Sequence, residues 1–121
     1  MRTRRVELDD GHVTVDAWRW DERERPTLLL LPSLGRGAAD FAAVADALAT
    51  RGLRCLALNP RGIADSAPAV SEATLVDYAR DAAGVIAATG ARAHVVGHAF
   101  GNRVARCLAQ HWPARVDSVT L

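Results

Sequence analysis

Apolar and polar residues alternate near the start of the chain, between residues 2 and 18. An Asp-Gly pair at residues 10–11 interrupts the alternation, and this pair is a strong signal for a tight turn between two strands. The pattern predicts a β-hairpin whose second strand places Val13, Val15 and Ala17 on one face of a sheet.

The apolar run at residues 27–31 does not alternate, which is typical of a parallel strand covered on both faces. Residues 53–58 are predicted to form another buried strand, and residues 93–97 and 116–121 two further strands.

Segments of helical periodicity separate these predicted strands. Phe41, Val44, Ala45 and Leu48 recur at helical spacing before a stop at Gly52. A second helix is predicted from a cap at Thr74 to Gly90, and a third over residues 102–112.

A hairpin followed by alternating strands and helices predicts an α/β fold with a mostly parallel sheet, helices on both faces and an N-terminal antiparallel hairpin. Residues 32–40 and 59–73 are predicted loops, the second rich in Pro, Gly and Ser. With 121 residues, the chain is long enough for one domain spanning residues 1–121.

Composition narrows the function classes. The net charge of +1 gives no reason to expect nucleic acid or an anionic membrane as a partner. The first residues lack the apolar core of a signal peptide, and the longest apolar run is far shorter than a membrane span. We expect Cys55 and Cys107 to be buried thiols in a reducing compartment, and therefore a cytoplasmic protein.

The segment Gly97-His98-Ala99-Phe100-Gly101 lies between a predicted strand and a predicted helix. A G-x-S-x-G sequence in this context forms a nucleophile elbow, a sharp turn whose apex residue attacks the substrate. Ala99 stands at the apex and has no nucleophilic atom.

Three segments of the chain resemble the α/β-hydrolase fold superfamily in content and in order. They are the elbow, "LLLLPSLGRGAADF" (residues 28–41) and "LNPRGIADSA" (residues 58–67). The segment at residues 58–67 is similar to the family pattern D-x-R-G-x-G-x-S at Arg61, Gly62 and Ser66, and departs from it at Asn59 and Ala64.

This resemblance implies an oxyanion hole formed by the backbone N–H groups of Leu34 and Phe100. Pro32 and Ser33 replace the usual His-Gly of that loop. Ser33 and Arg36 are candidate pocket residues for a small-molecule ligand or substrate.

The resemblance also places the acid and base of the catalytic triad later in the chain than the nucleophile. We therefore expect a partial domain without the C-terminal strands, the cap, the acid and the base. No cofactor is expected, and the sequence contains no pair of His, Cys or carboxylate residues at metal-ligand spacing.

Other residues are weak substitutes for the nucleophile or its base. His98 adjoins the apex, but neighbours of the apex point away from the site, so a structural role is favoured. His94, at the start of a strand, and His111, at the end of a helix, are interpreted as structural too, and His12 lies in the hairpin. Cys107 lies two turns into the helix, too far from the apex.

Three hypotheses stay open. The favoured one is a hydrolase-like protein for small ester or acyl compounds that is inactive as given because Ala99 leaves the nucleophile position vacant. The second is a longer active enzyme with a different chemistry. The third is a non-catalytic domain that binds a small molecule or a partner, with possible self-association through an exposed sheet edge.

Overall fold

A computed structural model describes residues 1–69, 71–90 and 92–121. Along these residues the strands and helices are β1 (Arg2–Leu8), β2 (Gly11–Trp18), β3 (Thr27–Leu31), α1 (Ala42–Thr50), β4 (Arg54–Asn59), α2 (Leu75–Thr89), β5 (Ala93–Gly97), α3 (Phe100–His111) and β6 (Val116–Thr120). Short 3₁₀ turns occur at Ala38–Phe41 and Pro113–Arg115. The predicted loop over residues 59–73 includes Val70, which lies outside the described residues.

The described strands form one sheet in the order β1-β2-β4-β3-β5-β6. The β1–β2 and β2–β4 pairs are antiparallel, and the β4–β3, β3–β5 and β5–β6 pairs are parallel. The predicted fold class is therefore confirmed. The strand order places β3 between β4 and β5, so the loops after β3 and β5 emerge side by side.

Each face of the sheet covers its own apolar cluster. Val13, Val15 and Ala17 of β2 belong to the larger cluster, which also contains buried residues of α2 and α3. Trp18 points to the opposite face, where the smaller cluster includes Ala45 and Ala49 of α1. The predicted two-face alternation of β2 is confirmed.

The second helix begins where the sequence predicts. Thr74 accepts a hydrogen bond from the Asp77 N–H, and the Asp77 carboxylate accepts one from the Thr74 N–H, which completes a capping box. The helix ends before Gly90, as expected.

The predicted apolar stripe of α1 is wrong at one position. Val44 is 49% exposed, because α1 packs against β4 and β2 and leaves the side that faces β5 uncovered. Phe41, Val44, Val96 and the exposed Leu121 line the resulting apolar groove of about 590 Å³.

Both cysteines are buried and free, Cys55 in β4 and Cys107 in α3. Burial raises the pKa of the Cys55 thiol to about 11, which leaves it protonated and unreactive at neutral pH. None of the helices in the described part of the chain combines the length and apolar character needed to cross a membrane.

Candidate functional site

The backbone turns sharply at Ala99, between the end of β5 and the start of α3. Ala99 has φ +54° and ψ −116°, a conformation that residues other than glycine rarely adopt. Its side chain is exposed, and the helix begins at the next residue, Phe100. The turn has the strand–turn–helix geometry of an elbow, with a methyl group at its apex.

Two glycines permit this turn by allowing close backbone contacts. A Cβ atom at Gly97 would lie 2.3 Å from the Gly101 carbonyl oxygen, and one at Gly101 would lie 2.2 Å from the Leu31 carbonyl oxygen. These separations are far below van der Waals contact, so neither position accepts a side chain without movement of the backbone.

A backbone hydrogen bond links the elbow to the end of β3, just before the loop that follows it. The His98 N–H donates a 3.1 Å hydrogen bond to the carbonyl oxygen of Leu31, the last residue of β3. This bond places the start of the 32–37 loop beside the first turn of α3. The two predicted donors, Leu34 and Phe100, thus belong to adjacent segments.

Within the described residues, neither the Leu34 nor the Phe100 backbone N–H donates a hydrogen bond to a protein acceptor. Phe100 is the first residue of α3, where N–H groups lack partners within the helix and the dipole favours negative charge. Leu34 is 65% exposed, so its N–H lies in an accessible loop.

A cavity of about 200 Å³ lies below these two residues. Its walls are residues 31–35, the end of β4 with the loop after it, one side of α2, and Phe100 with Val104 of α3. Most of this lining is apolar; its polar side chains are Ser33, Arg61, Tyr78 and Asp81. Ala99 does not line the cavity.

Asn59, the last residue of β4, links the segment after the β3 loop to strand β2. Its Oδ1 accepts a 2.8 Å hydrogen bond from the Ala38 N–H, and its Nδ2 donates to Thr14 Oγ1 at 3.0 Å. Ser66 Oγ donates to the Asn59 carbonyl oxygen at 2.6 Å. An amide supplies both a donor and an acceptor here, which accounts for Asn in place of the family's Asp.

Arg61 holds the β4 loop to two other segments. Its guanidinium donates to both oxygens of Asp81 on α2, at 2.9 and 3.1 Å, and to Asp10 Oδ1 at 2.6 Å. The hydrogen bond from Arg61 holds the pKa of Asp10 below its usual value, while burial raises the pKa of Asp81.

Ala64 stands where the family pattern has Gly, and its φ of +49° lies in the left-handed region that favours glycine.

Two of the sequence candidates lie outside the cavity. Arg36 forms a bidentate ion pair with Asp40, at 2.7 and 2.8 Å, and lines the apolar groove beside α1. His98 is exposed and lines the same groove. Ser33 does line the cavity.

The other histidines have local partners. His12 contacts the Asp65 carbonyl oxygen through Nε2 at 2.8 Å, His94 contacts Ser118 Oγ through Nδ1 at 2.7 Å, and His111 is the last residue of α3. In the described part of the chain, no three His, Cys, Asp or Glu residues are grouped so that they could hold a metal ion.

Sequence reasoning missed Tyr78 and Asp81 as cavity residues. Tyr78 lies on α2, and its ring packs edge-on against Phe100 with centroids 5.8 Å apart. Asp81 lies one turn further along the helix, but nothing in the local sequence shows that this turn faces the β3 loop.

The chain belongs to the alpha/beta hydrolase fold family, whose model matches residues 26–121. The match covers β3 and every later described element, and leaves the N-terminal hairpin outside.

A curated relative from Variovorax paradoxus (strain S110), named "Putative carbamate hydrolase RutD", is 40% identical over 97 residues. These residues are 78% of this chain and 36% of the relative. The chain therefore spans little more than a third of that relative's length.

Solved structures give a similar picture. A hydrolase from Pseudomonas aeruginosa PA01 is 27% identical with a TM-score of 0.86, covering 98% of this chain and 44% of that one. An epoxide hydrolase from an endophytic Streptomyces is 26% identical with a TM-score of 0.85, covering 98% and 35%.

Proposed function

We propose that this chain forms the carbonyl-binding part of a hydrolase-like site for a small ester or carbamate compound. The substrate's carbonyl oxygen accepts hydrogen bonds from the backbone N–H groups of Leu34 and Phe100. The rest of the molecule lies in the cavity of about 200 Å³ below them. No acyl-enzyme forms at position 99, because a methyl group cannot attack a carbonyl carbon.

The observation that carries this proposal is the pair of N–H groups without protein partners beside a strained elbow. Such donors stabilise negative charge on a carbonyl oxygen, and they come from the backbone, so they do not depend on the side chain at the apex. The name of the Variovorax relative suggests a carbamate as the substrate class.

Hydrolysis by this route requires direct attack of water. The water oxygen bonds to the carbonyl carbon, the bond to the leaving group breaks, and the proton released by the water goes to the leaving group. We propose that the base comes from residues outside 1–121, so that this chain alone binds but does not turn over its ligand. The buried free thiols favour a cytoplasmic setting.

Amide resonances in ¹⁵N-labelled protein test the proposal, with methyl acetate and methyl carbamate as ligands. The largest downfield proton shifts are expected at Leu34 and Phe100. Ile63→Phe, which narrows the cavity, should remove these shifts, while Val44→Phe on the far face should leave them unchanged. Shifts centred on other residues, or no shifts at saturating ligand, would contradict the proposal.

A partner-binding function is a second candidate, favoured by the edge of the sheet. In the described structure β6 pairs only with β5, and the groove beside α1 exposes Val44 and Leu121. An unpaired strand next to an apolar surface invites another strand, and we propose that a second copy of the chain supplies it.

A further inference from the structure

We propose that Asp81 selects ligands that carry an N–H group, so that the cavity prefers carbamates and primary amides to esters. This inference rests on the proposed function, since it assumes that the carbonyl oxygen is held by Leu34 and Phe100. The ligand nitrogen needs a hydrogen-bond acceptor, and we assign that role to Asp81, a side chain on α2.

The position of Asp81 in the cavity supports this role. Its side chain is 14% exposed and forms part of a wall that is otherwise mostly apolar. Of the described residues that line the cavity, it is the one carboxylate. A carboxylate accepts hydrogen bonds and donates none, so it distinguishes an N–H group from a methyl group of similar size.

Arg61 fixes the orientation of this carboxylate without using all of its acceptor sites. Each oxygen of Asp81 accepts one hydrogen bond from the guanidinium, and Arg61 itself is only 4% exposed. A carboxylate has about four lone-pair sites. Sites remain for a ligand, and the carboxylate does not need to reorient to use them.

The charge of the cluster favours a hydrogen-bond donor. Arg61 contacts two carboxylates, those of Asp81 and Asp10, so these three side chains carry a net charge of −1 when ionised. Of the two carboxylates, Asp81 is the one that lines the cavity: its side chain is 14% exposed against 65% for Asp10, and burial raises its pKa. A ligand N–H group can donate to this partly desolvated carboxylate, whereas an ester oxygen or a ligand carboxylate is repelled by it.

The cavity is small enough for one ligand to reach both the N–H donors and the α2 wall. About 200 Å³ admits a molecule with few non-hydrogen atoms, so a single small ligand touches both the N–H donors and the α2 wall. A carbamate carries its carbonyl oxygen and its nitrogen on the same carbon atom. An ester of the same shape leaves the Asp81 carboxylate without a donor.

Two isosteric ligands, methyl carbamate and methyl acetate, and one N-methylated analogue that lacks N–H groups and is larger by two methyl groups test the inference on the unmodified protein. Methyl carbamate, methyl acetate and methyl N,N-dimethylcarbamate are titrated while the Leu34 and Phe100 amide resonances are followed. Methyl carbamate is expected to bind about tenfold more tightly than the other two, which corresponds to roughly 1.4 kcal/mol for one hydrogen bond to a charged acceptor.

Asp81→Asn should reduce this preference to less than about threefold, because the side chain loses its charge and one acceptor. Asp9→Asn is the matched control: it removes an equal charge near the same cluster but not from the cavity wall, and should keep the preference. If Asp81→Asn does not fold, the three-ligand comparison on the unmodified protein still tests the inference, because equal binding of carbamate and acetate overturns it.

The outcomes separate the two proposals. Equal binding of carbamate and acetate, with shifts at Leu34 and Phe100, overturns the role of Asp81 and leaves the carbonyl site standing. A preference that survives Asp81→Asn also overturns that role. Absence of binding by all three ligands overturns the proposed function, and this inference with it.

Discussion

Replacing Ala99 with glycine should stabilise the fold, although glycine usually destabilises a protein. Ala99 has φ +54° and ψ −116°, outside the small left-handed region that side chains tolerate. A residue held in such a conformation stores roughly 1–3 kcal/mol of strain. Glycine adopts the same angles without steric conflict.

The gain is reduced by the greater freedom of glycine in the unfolded chain, which costs roughly 0.4–1 kcal/mol. Ala99→Gly should therefore raise the free energy of unfolding by about 0.5–2 kcal/mol. In a domain of this length each kcal/mol raises the melting temperature by about 3–5 °C. The exposed side chain of Ala99 contributes little packing that could be lost.

Ala47→Gly provides the matched control. Ala47 is also exposed but lies inside α1, where glycine should lower stability by about 1 kcal/mol. Urea unfolding followed by far-UV circular dichroism measures both variants against the parent chain. If Ala99→Gly is destabilised as much as Ala47→Gly, the turn is not strained and the elbow interpretation fails.

Three further predictions concern the elbow, the cap of α2 and the sheet edge. Gly101→Ala places a Cβ atom 2.2 Å from the Leu31 carbonyl oxygen and should cost about 3 kcal/mol or more in urea unfolding; a loss below about 1 kcal/mol would refute the close contact. The pKa of Asp77 lies below its ordinary 3.8 because the Thr74 N–H donates a hydrogen bond to the Asp77 carboxylate, so the ionised carboxylate stabilises the fold fully above pH 3.8 and this stabilisation is lost as the pH falls through the folded-state pKa. Asp77→Asn should remove this part of the pH dependence of the free energy of unfolding, and an unchanged pH profile would contradict the cap. Concentration-dependent self-association is expected in analytical ultracentrifugation, and Ser118→Lys on the exposed face of β6 should abolish it; association that persists in this variant would place the interface elsewhere.

The alternation of strand residues and the periodicity of helices predicted the fold closely, because both are local properties of the chain. The hairpin, the buried strands and the start of α2 at Thr74 lie where the pattern places them. The sequence did not predict that β3 lies between β4 and β5, since that order depends on the path of the whole chain.

The candidate site was predictable only where backbone geometry defines it. Gly97 and Gly101 are required by close backbone contacts, so their spacing between a predicted strand and a predicted helix marks the turn. The wall of the cavity comes from segments far apart in sequence. The local sequence around Asp81 therefore does not predict that this residue lines the cavity. The prediction that Arg36 is a pocket residue is wrong for this cavity, because its side chain pairs with Asp40 and lines the groove beside α1 instead.

The elbow and its two donors consist of main-chain atoms, and the glycines that shape them flank position 99 without including it. In the proposed function, recognition of a carbonyl group and attack upon it are therefore encoded at separate positions of this polypeptide. A single codon change at 99 can give or withdraw a reactive atom while the shape that receives the ligand is inherited intact. Such a scaffold can exchange one chemistry for another over evolutionary time without first losing its ability to hold a molecule.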